Sequence, residues 1–206
     1  MRRLLFLLAG LGAASVLPTL AQQKPVAPAD SLPWFRPRHV VVQTAGGLGM
    51  VAAGAGYSFW RDRAEAEVLL GYVPKKYAGS TLTIATAKFL YTPFKLALSP
   101  RLEVRPLTVG AYVSYTHNTI NDEVRGQYTK GYYWFSTDTR VGAILLGGRV
   151  SYLRTERASG RSRRLSGYYE LGTNDLYLTS YVPNGNYRSL SPLDILTLGL
   201  GIKAEF

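Results

Sequence analysis

The 206-residue chain has no cysteine, which excludes a disulfide scaffold and any thiolate-held metal centre. Histidine is nearly absent too. His39 and His117 are the two copies, and no zinc-ligand spacing, EF-hand loop or phosphate-cradling glycine loop occurs. The glycines of Gly46-Gly47-Leu48-Gly49 have no helical pattern after them and read as strand and turn glycines. Beyond residue 21 no apolar run reaches the roughly 20 residues of a membrane helix, because Gly, Ser, Thr and charged residues recur every few positions. The chain from residue 22 onward is therefore expected to be either soluble or a β-barrel.

Acidic residues are scarce, 13 against 24 lysines and arginines, for a formal charge of +11. Such an excess raises nucleic acid as a partner, but the N-terminus argues for export. Met1, Arg2 and Arg3 form a basic start, Leu4 to Leu17 is a nearly unbroken apolar run, and Thr19-Leu20-Ala21 offers small residues for cleavage. That is the order of a secretory signal peptide over 1–21, with an uncleaved anchor as the alternative. Cleavage removes Arg2 and Arg3 and lowers +11 to +9. In an exported protein, lipopolysaccharide phosphates are a better anionic neighbour than nucleic acid, and plain solubility is the bland reading of the charge. Residues 22–38, with four prolines, read as an extended leader. Fifteen tyrosines and 21 glycines suit short strands with aromatic girdles.

From His39 onward the dominant period is two. At the C-terminus Leu196, Leu198, Leu200, Ile202, Ala204 and Phe206 alternate with Thr197, Gly199, Gly201, Lys203 and Glu205. Successive strand side chains point to opposite faces, so one face is apolar and the other small or charged. Similar alternation runs through Val51–Phe59, Ala64–Tyr72, Leu107–Tyr115 and Leu165–Leu171. Ser80–Tyr91 changes parity midway, which a bulge would explain, and Val141–Leu153 is apolar on both faces around Ile144–Leu146. Strands beginning near 39, 51, 64, 80, 104, 141, 165 and 194 make eight. With both barrel ends on the periplasmic side, 47–50, 74–79, 117–139 and 172–193 become outer loops, and 61–63, 92–103 and 154–164 inner turns. Leu176–Tyr181 is counted as a loop extension. Lipid does not tolerate an open sheet edge, so the sheet is expected to close.

The signal peptide, the eight alternating segments and the terminal Leu-Gly-Leu-Gly-Ile-Lys-Ala-Glu-Phe resemble small bacterial outer-membrane barrels of the OmpA/OmpX type over residues 39–206. The resemblance implies an all-β, antiparallel up-and-down transmembrane barrel of about eight strands. It also implies outer-membrane lipids, lipopolysaccharide included, as surroundings, and the barrel-assembly machinery as a partner that reads Phe206.

Alternation puts Glu65, Glu67, Arg149, Glu170, Lys203 and Glu205 on the inward face. Interior charges must be paired or hydrated, so they read as a polar network filling a narrow lumen. The sharper readings are a narrow channel for small solutes and a catalytic carboxylate at Glu170. A lipid A-modifying hydrolase would use a hydroxyl made nucleophilic by histidine. His117 with Ser114 nearby is the candidate, but His117-Asn118-Thr119 stands where such deacylases carry His-X-Ser. The tyrosine- and asparagine-bearing outer loops suit adaptable contacts, Lys75 and Lys76 can touch headgroups, and Arg154, Arg157, Arg161, Arg163 and Arg164 cluster at an inner turn. The expected protein is a non-enzymatic outer-membrane barrel with structural or surface-binding loops and no cofactor. A soluble lipocalin-like barrel, apolar inside and polar outside, is the fold-level rival.

Overall fold

The computed structural model of the chain describes residues 36–119, 136–155 and 162–206. The expected signal peptide, residues 22–35 of the leader, the loop tip 120–135 and Arg157 and Arg161 lie outside the described residues. Pro37–Phe206 forms one compact unit.

That unit is a closed antiparallel barrel. Its strands are β1 (His39–Ala45), β2 (Val51–Phe59), β3 (Ala64–Val73), β4 (Leu82–Tyr91), β6 (Leu102–His117), β7 (Thr139–Thr155), β8 (Ser162–Asn174) and β9 (Thr197–Glu205). Each pairs with its neighbour in that order, and β1 closes the cylinder on β9 from His39↔Glu205 to Ala45↔Gly199. A ninth strand, β5 (Leu96–Ser99), is a short flap paired only with β6. The sequence pattern missed it because its four residues are all exposed and carry no inward set.

The eight segments read from the period-two pattern are the eight barrel strands. Leu176–Tyr181 falls in a helix, α2 (Asp175–Tyr181), and adds no strand. Asn174 starts that helix, its side chain accepting from the Tyr177 amide at 3.1 Å. A one-turn helix, α1 (Lys75–Ala78), lies between β3 and β4. Of the two barrel ends, the proximal one is where β1 begins and β9 finishes, and the opposite one is distal.

Of the two irregular stretches, the first departs from expectation and the second keeps its two apolar faces. β4 has no bulge: Ile84, Thr86, Lys88 and Leu90 all point inward in strict alternation. Its apparent change of parity arises because the lumen takes apolar side chains as well as polar ones. β7 does carry an irregularity, between Ile144 and Leu146. Ile144 is buried there while Leu145 and Leu146 both face out, so three apolar residues in a row serve two faces.

The turns fit their residues. At the distal end Gly46, Gly47 and Gly49 adopt φ of 73°, 77° and 117°, a conformation open to glycine without steric cost. The turn thereby folds back and drops Leu48 into the lumen mouth. Gly71 permits this approach, since a Cβ there would lie 1.8 Å from the Leu48 carbonyl oxygen. At the proximal end Trp60, Arg61 and Asp62 all have positive φ, the backbone that a tight hairpin needs but that non-glycine residues adopt at a cost of about 1–2 kcal/mol each.

Candidate functional site

Inside the barrel the side chains form an ion-pair network in three tiers, closed by an apolar lid. The central tier is built on Glu65. Arg149 grips it with both guanidinium nitrogens, Nη1 to Oε1 at 2.6 Å and Nη2 to Oε2 at 2.7 Å, a fork-to-fork geometry that is among the stronger charge-assisted pairs. Arg105 Nη1 donates to the same Oε1 at 3.2 Å, and Lys203 Nζ donates to Oε2. Register explains the convergence. Arg105 and Arg149 stand directly opposite each other on β6 and β7, an arrangement of like charges that is unfavourable alone. Glu65, reaching across from β3, receives from both and removes the conflict.

Distal to this tier sits Glu67. It faces Lys88 directly across β3 and β4, with Oε2 3.0 Å from Lys88 Nζ. Its Oε1 meets His39 Nε2 at 3.1 Å and also contacts Lys203. Lys88 then reaches Glu170 at 3.0 Å and Gln43 Oε1 at 3.1 Å, and Tyr168 donates to that same Gln43 oxygen at 3.0 Å. The Tyr168 ring lies 5.6 Å from Lys88 Nζ and 5.5 Å from Lys203 Nζ, so its face serves two ammonium groups.

The proximal tier is more open. Arg164 donates to Glu205 at 2.7 Å, its direct partner across β8 and β9, and Arg105 Nε donates to Glu103 at 2.8 Å. Lys95 lies 3.9 Å from Asp62. Partial burial, and then the neighbouring Arg105 charge, push its ammonium below the usual lysine range.

The lumen side chains therefore balance: Lys88, Arg105, Arg149, Arg164 and Lys203 against Glu65, Glu67, Glu103, Glu170 and Glu205. Of the residues expected inside from sequence, Glu65, Glu67, Arg149, Glu170 and Lys203 are buried in the lumen, and Glu205 sits half-buried at the proximal rim. Phe206 is exposed, its amide donating to the Arg38 carbonyl at 3.2 Å. Sequence reasoning missed His39, Gln43, Lys88, Glu103, Arg105 and Arg164. Simple alternation would have found the first three: His39 and Gln43 share parity with inward Val41, and Lys88 with Thr86. Arg105 was beyond reach. It shares parity with Leu107 and Val109, which the pattern places outside, and the register shift between Arg105 and Thr108 turns it inward.

Little space remains. Beneath the lid formed by Leu48, Tyr112 and Ile144, the cavity bordered by Gln43, Glu170 and Thr197 measures about 10 Å³, the lower limit for a single water. The two largest inward rings pack over glycines on the neighbouring strand, Tyr168 over Gly201 and Tyr112 over Gly142. A Cβ on Gly201 would lie 2.4 Å from the Tyr168 ring. Gly201→Ala is accordingly expected to displace that ring, break its bond to Gln43 and cost about 1–3 kcal/mol, read as a lower urea midpoint of unfolding.

Other chemistries fit less well. His39, Glu65 and Glu67 bring ligand atoms within 4.8 Å of one another, a donor set that could take a divalent metal. Lys203 Nζ, however, bonds both carboxylates and already supplies the positive charge they require. Ser114 and His117 lie on opposite faces of β6, Ser114 buried in the lumen and His117 exposed on the wall. Thr119 donates to Asp138 rather than meeting His117. Comparison of the chain with protein-family models, with curated proteins and with solved structures found no match.

Proposed function

We propose that the chain is a membrane-spanning barrel of a bacterial outer membrane, non-enzymatic, with a sealed lumen and a structural or surface-binding role carried by its distal loops. The observation that carries this reading is the inverted polarity of the wall. Each of the eight barrel strands puts at least two large apolar side chains on the outer surface, among them Val40, Val68, Phe89, Leu165 and Ile202. Among the described residues the exposed charged side chains of those strands are Arg154 and Arg163, both at the proximal end. A water-soluble ligand-carrying barrel would be arranged the other way round, apolar inside and polar outside. So large an apolar surface calls for lipid or partners against it. A closed sheet satisfies every ladder hydrogen bond internally, as the bilayer interior demands.

Lipopolysaccharide is the proposed neighbour at the distal end, where Lys75 and Lys76 are exposed, and the barrel-assembly machinery the proposed partner in insertion. Tyr177 and Tyr187 are exposed in the distal connection between β8 and β9, and side chains of this kind suit recognition of an external ligand. Fractionation with a heat-modifiability gel tests the reading. The protein should pellet with outer membranes and migrate differently before and after boiling; recovery in the soluble periplasm would overturn it. The filled lumen carries its own expectation. In planar bilayers the reconstituted protein should give no large, stable single-channel openings, and porin-sized steps would refute a sealed barrel.

A further inference from the structure

We infer that the proximal end of the barrel is a docking surface for anionic phospholipid headgroups. The inference rests on the membrane-spanning reading and adds a lipid preference and the residues responsible for it. Arg38, Arg61, Arg63, Arg101 and Arg154 are all exposed at this end. The acids of the same end are directed elsewhere. Glu103 receives from Arg105 at 2.8 Å and Glu205 from Arg164 at 2.7 Å, while Asp62 lies 3.8 Å from Arg164 and 3.9 Å from Lys95. Among the described residues none of the five exposed guanidinium groups has a carboxylate partner. The network that neutralises the lumen thus leaves the collar around its mouth strongly cationic.

The distal end is closer to balance: among the described residues Lys75, Lys76, Arg140 and Arg188 stand there with Asp138, Asp175 and Asp194. The collar also directly borders an apolar ring formed by Trp60, Phe94, Leu96, Leu98, Tyr152 and Phe206, all exposed. An aromatic and aliphatic ring with arginines just beyond it matches the depth profile of acyl chains followed by phosphates. Planar guanidinium groups suit two-point contact with phosphate oxygens. Arg61 occupies the hairpin tip with a positive φ of 58°, where glycine or asparagine would sit more easily, so the turn carries a guanidinium outward at some backbone cost.

Trp60, 67% exposed within the ring, is a built-in reporter. In a Trp34→Phe/Trp134→Phe background it is the one tryptophan left of three. The full chain is refolded into vesicles containing phosphatidylglycerol or phosphatidylcholine brominated near the headgroup end of the acyl chains, and quenching of Trp60 gives relative lipid affinities. At low salt the brominated phosphatidylglycerol is expected to be favoured about threefold or more, the preference shrinking at high ionic strength. The Arg61→Gln/Arg63→Gln/Arg101→Gln/Arg154→Gln variant should lose the preference. The matching arginine-to-lysine variant should keep most of it, and Lys75→Gln/Lys76→Gln at the other end should keep all of it. Equal quenching by both lipids in the unaltered collar sinks the inference while leaving the membrane-spanning reading intact; so does a preference that survives the glutamine variant or disappears with the two lysines. If neither lipid quenches Trp60, the membrane-spanning reading itself fails and this one with it.

Discussion

Glu65→Gln is expected to destabilise the barrel by about 3–5 kcal/mol, the cost of removing one partner from a buried ion pair. Glu65 is the acceptor for three cations, Arg105, Arg149 and Lys203, and all four side chains are buried. Glutamine keeps the volume but cancels the charge, so the loss reads electrostatics rather than a cavity. Two arginines directly opposite each other on β6 and β7 would then face one another without a shared anion. The neighbouring carboxylates compensate poorly. Glu103 and Glu205 are engaged at the rim, and Glu67 is held by His39 and Lys88.

Lys203→Met should cost a comparable amount, since it strips the ammonium bridging Glu65 and Glu67. The double variant is the sharper measurement. Residues in one network couple by about 0.5–3 kcal/mol, and removing an anion together with its cation leaves the remaining charges balanced. The combined loss in Glu65→Gln/Lys203→Met is expected to fall short of the sum of the two singles, in urea titrations followed by the heat-modifiable gel shift. Strict additivity would mean that the network is a set of independent pairs.

The sequence made the barrel legible where the two faces of a strand differ in chemistry and the ladder is unbroken. β9 is the clearest case: Lys203 inside, Leu198, Leu200 and Ile202 outside, with continuous register on both neighbours. Glu65 and Glu67 on β3 were equally plain, because each is flanked by alanine or valine on the opposite face. Legibility failed where the ladder slips. The shift on β6 between Arg105 and Thr108 reverses the parity of the residues on its proximal side, since a one-residue slip exchanges the two faces of a strand. Arg105 was lost for that reason. It failed again on β4, where Ile84 and Leu90 point inward beside Lys88, so a rule that equates apolar with outward misplaces a strand with no irregularity at all. The inward fold of Leu48 was a third kind of miss. It depends on Gly71 of another strand leaving room, a pairing that no local pattern contains.

The arrangement of those faces sets up the test with the clearest sign. Val68 lies midway along β3, paired with Ala55 on β2 and Ala87 on β4, themselves near the middle of their strands, and is 64% exposed on the outer wall. In water an exposed position of this kind accepts arginine with a change within about 0.5 kcal/mol. In a bilayer the same substitution places a guanidinium near the hydrocarbon midplane, at a cost of about 2–4 kcal/mol that falls to about 0–1 kcal/mol near the interfaces. Val68→Arg is therefore expected to lower stability by about 2–4 kcal/mol in phosphatidylcholine vesicles. Leu165→Arg, next to half-buried Arg164 and close to exposed Arg163 at the proximal end, should lower it by about 1 kcal/mol or less. Urea midpoints of the two variants, compared in vesicles, measure the depth dependence directly. A steep difference supports a wall that faces lipid, because both side chains point outward, away from the charged lumen. Equal, near-zero effects would mean that the apolar wall is covered by something other than a bilayer, and the proposed membrane address would fall while the barrel and its charged lumen remained.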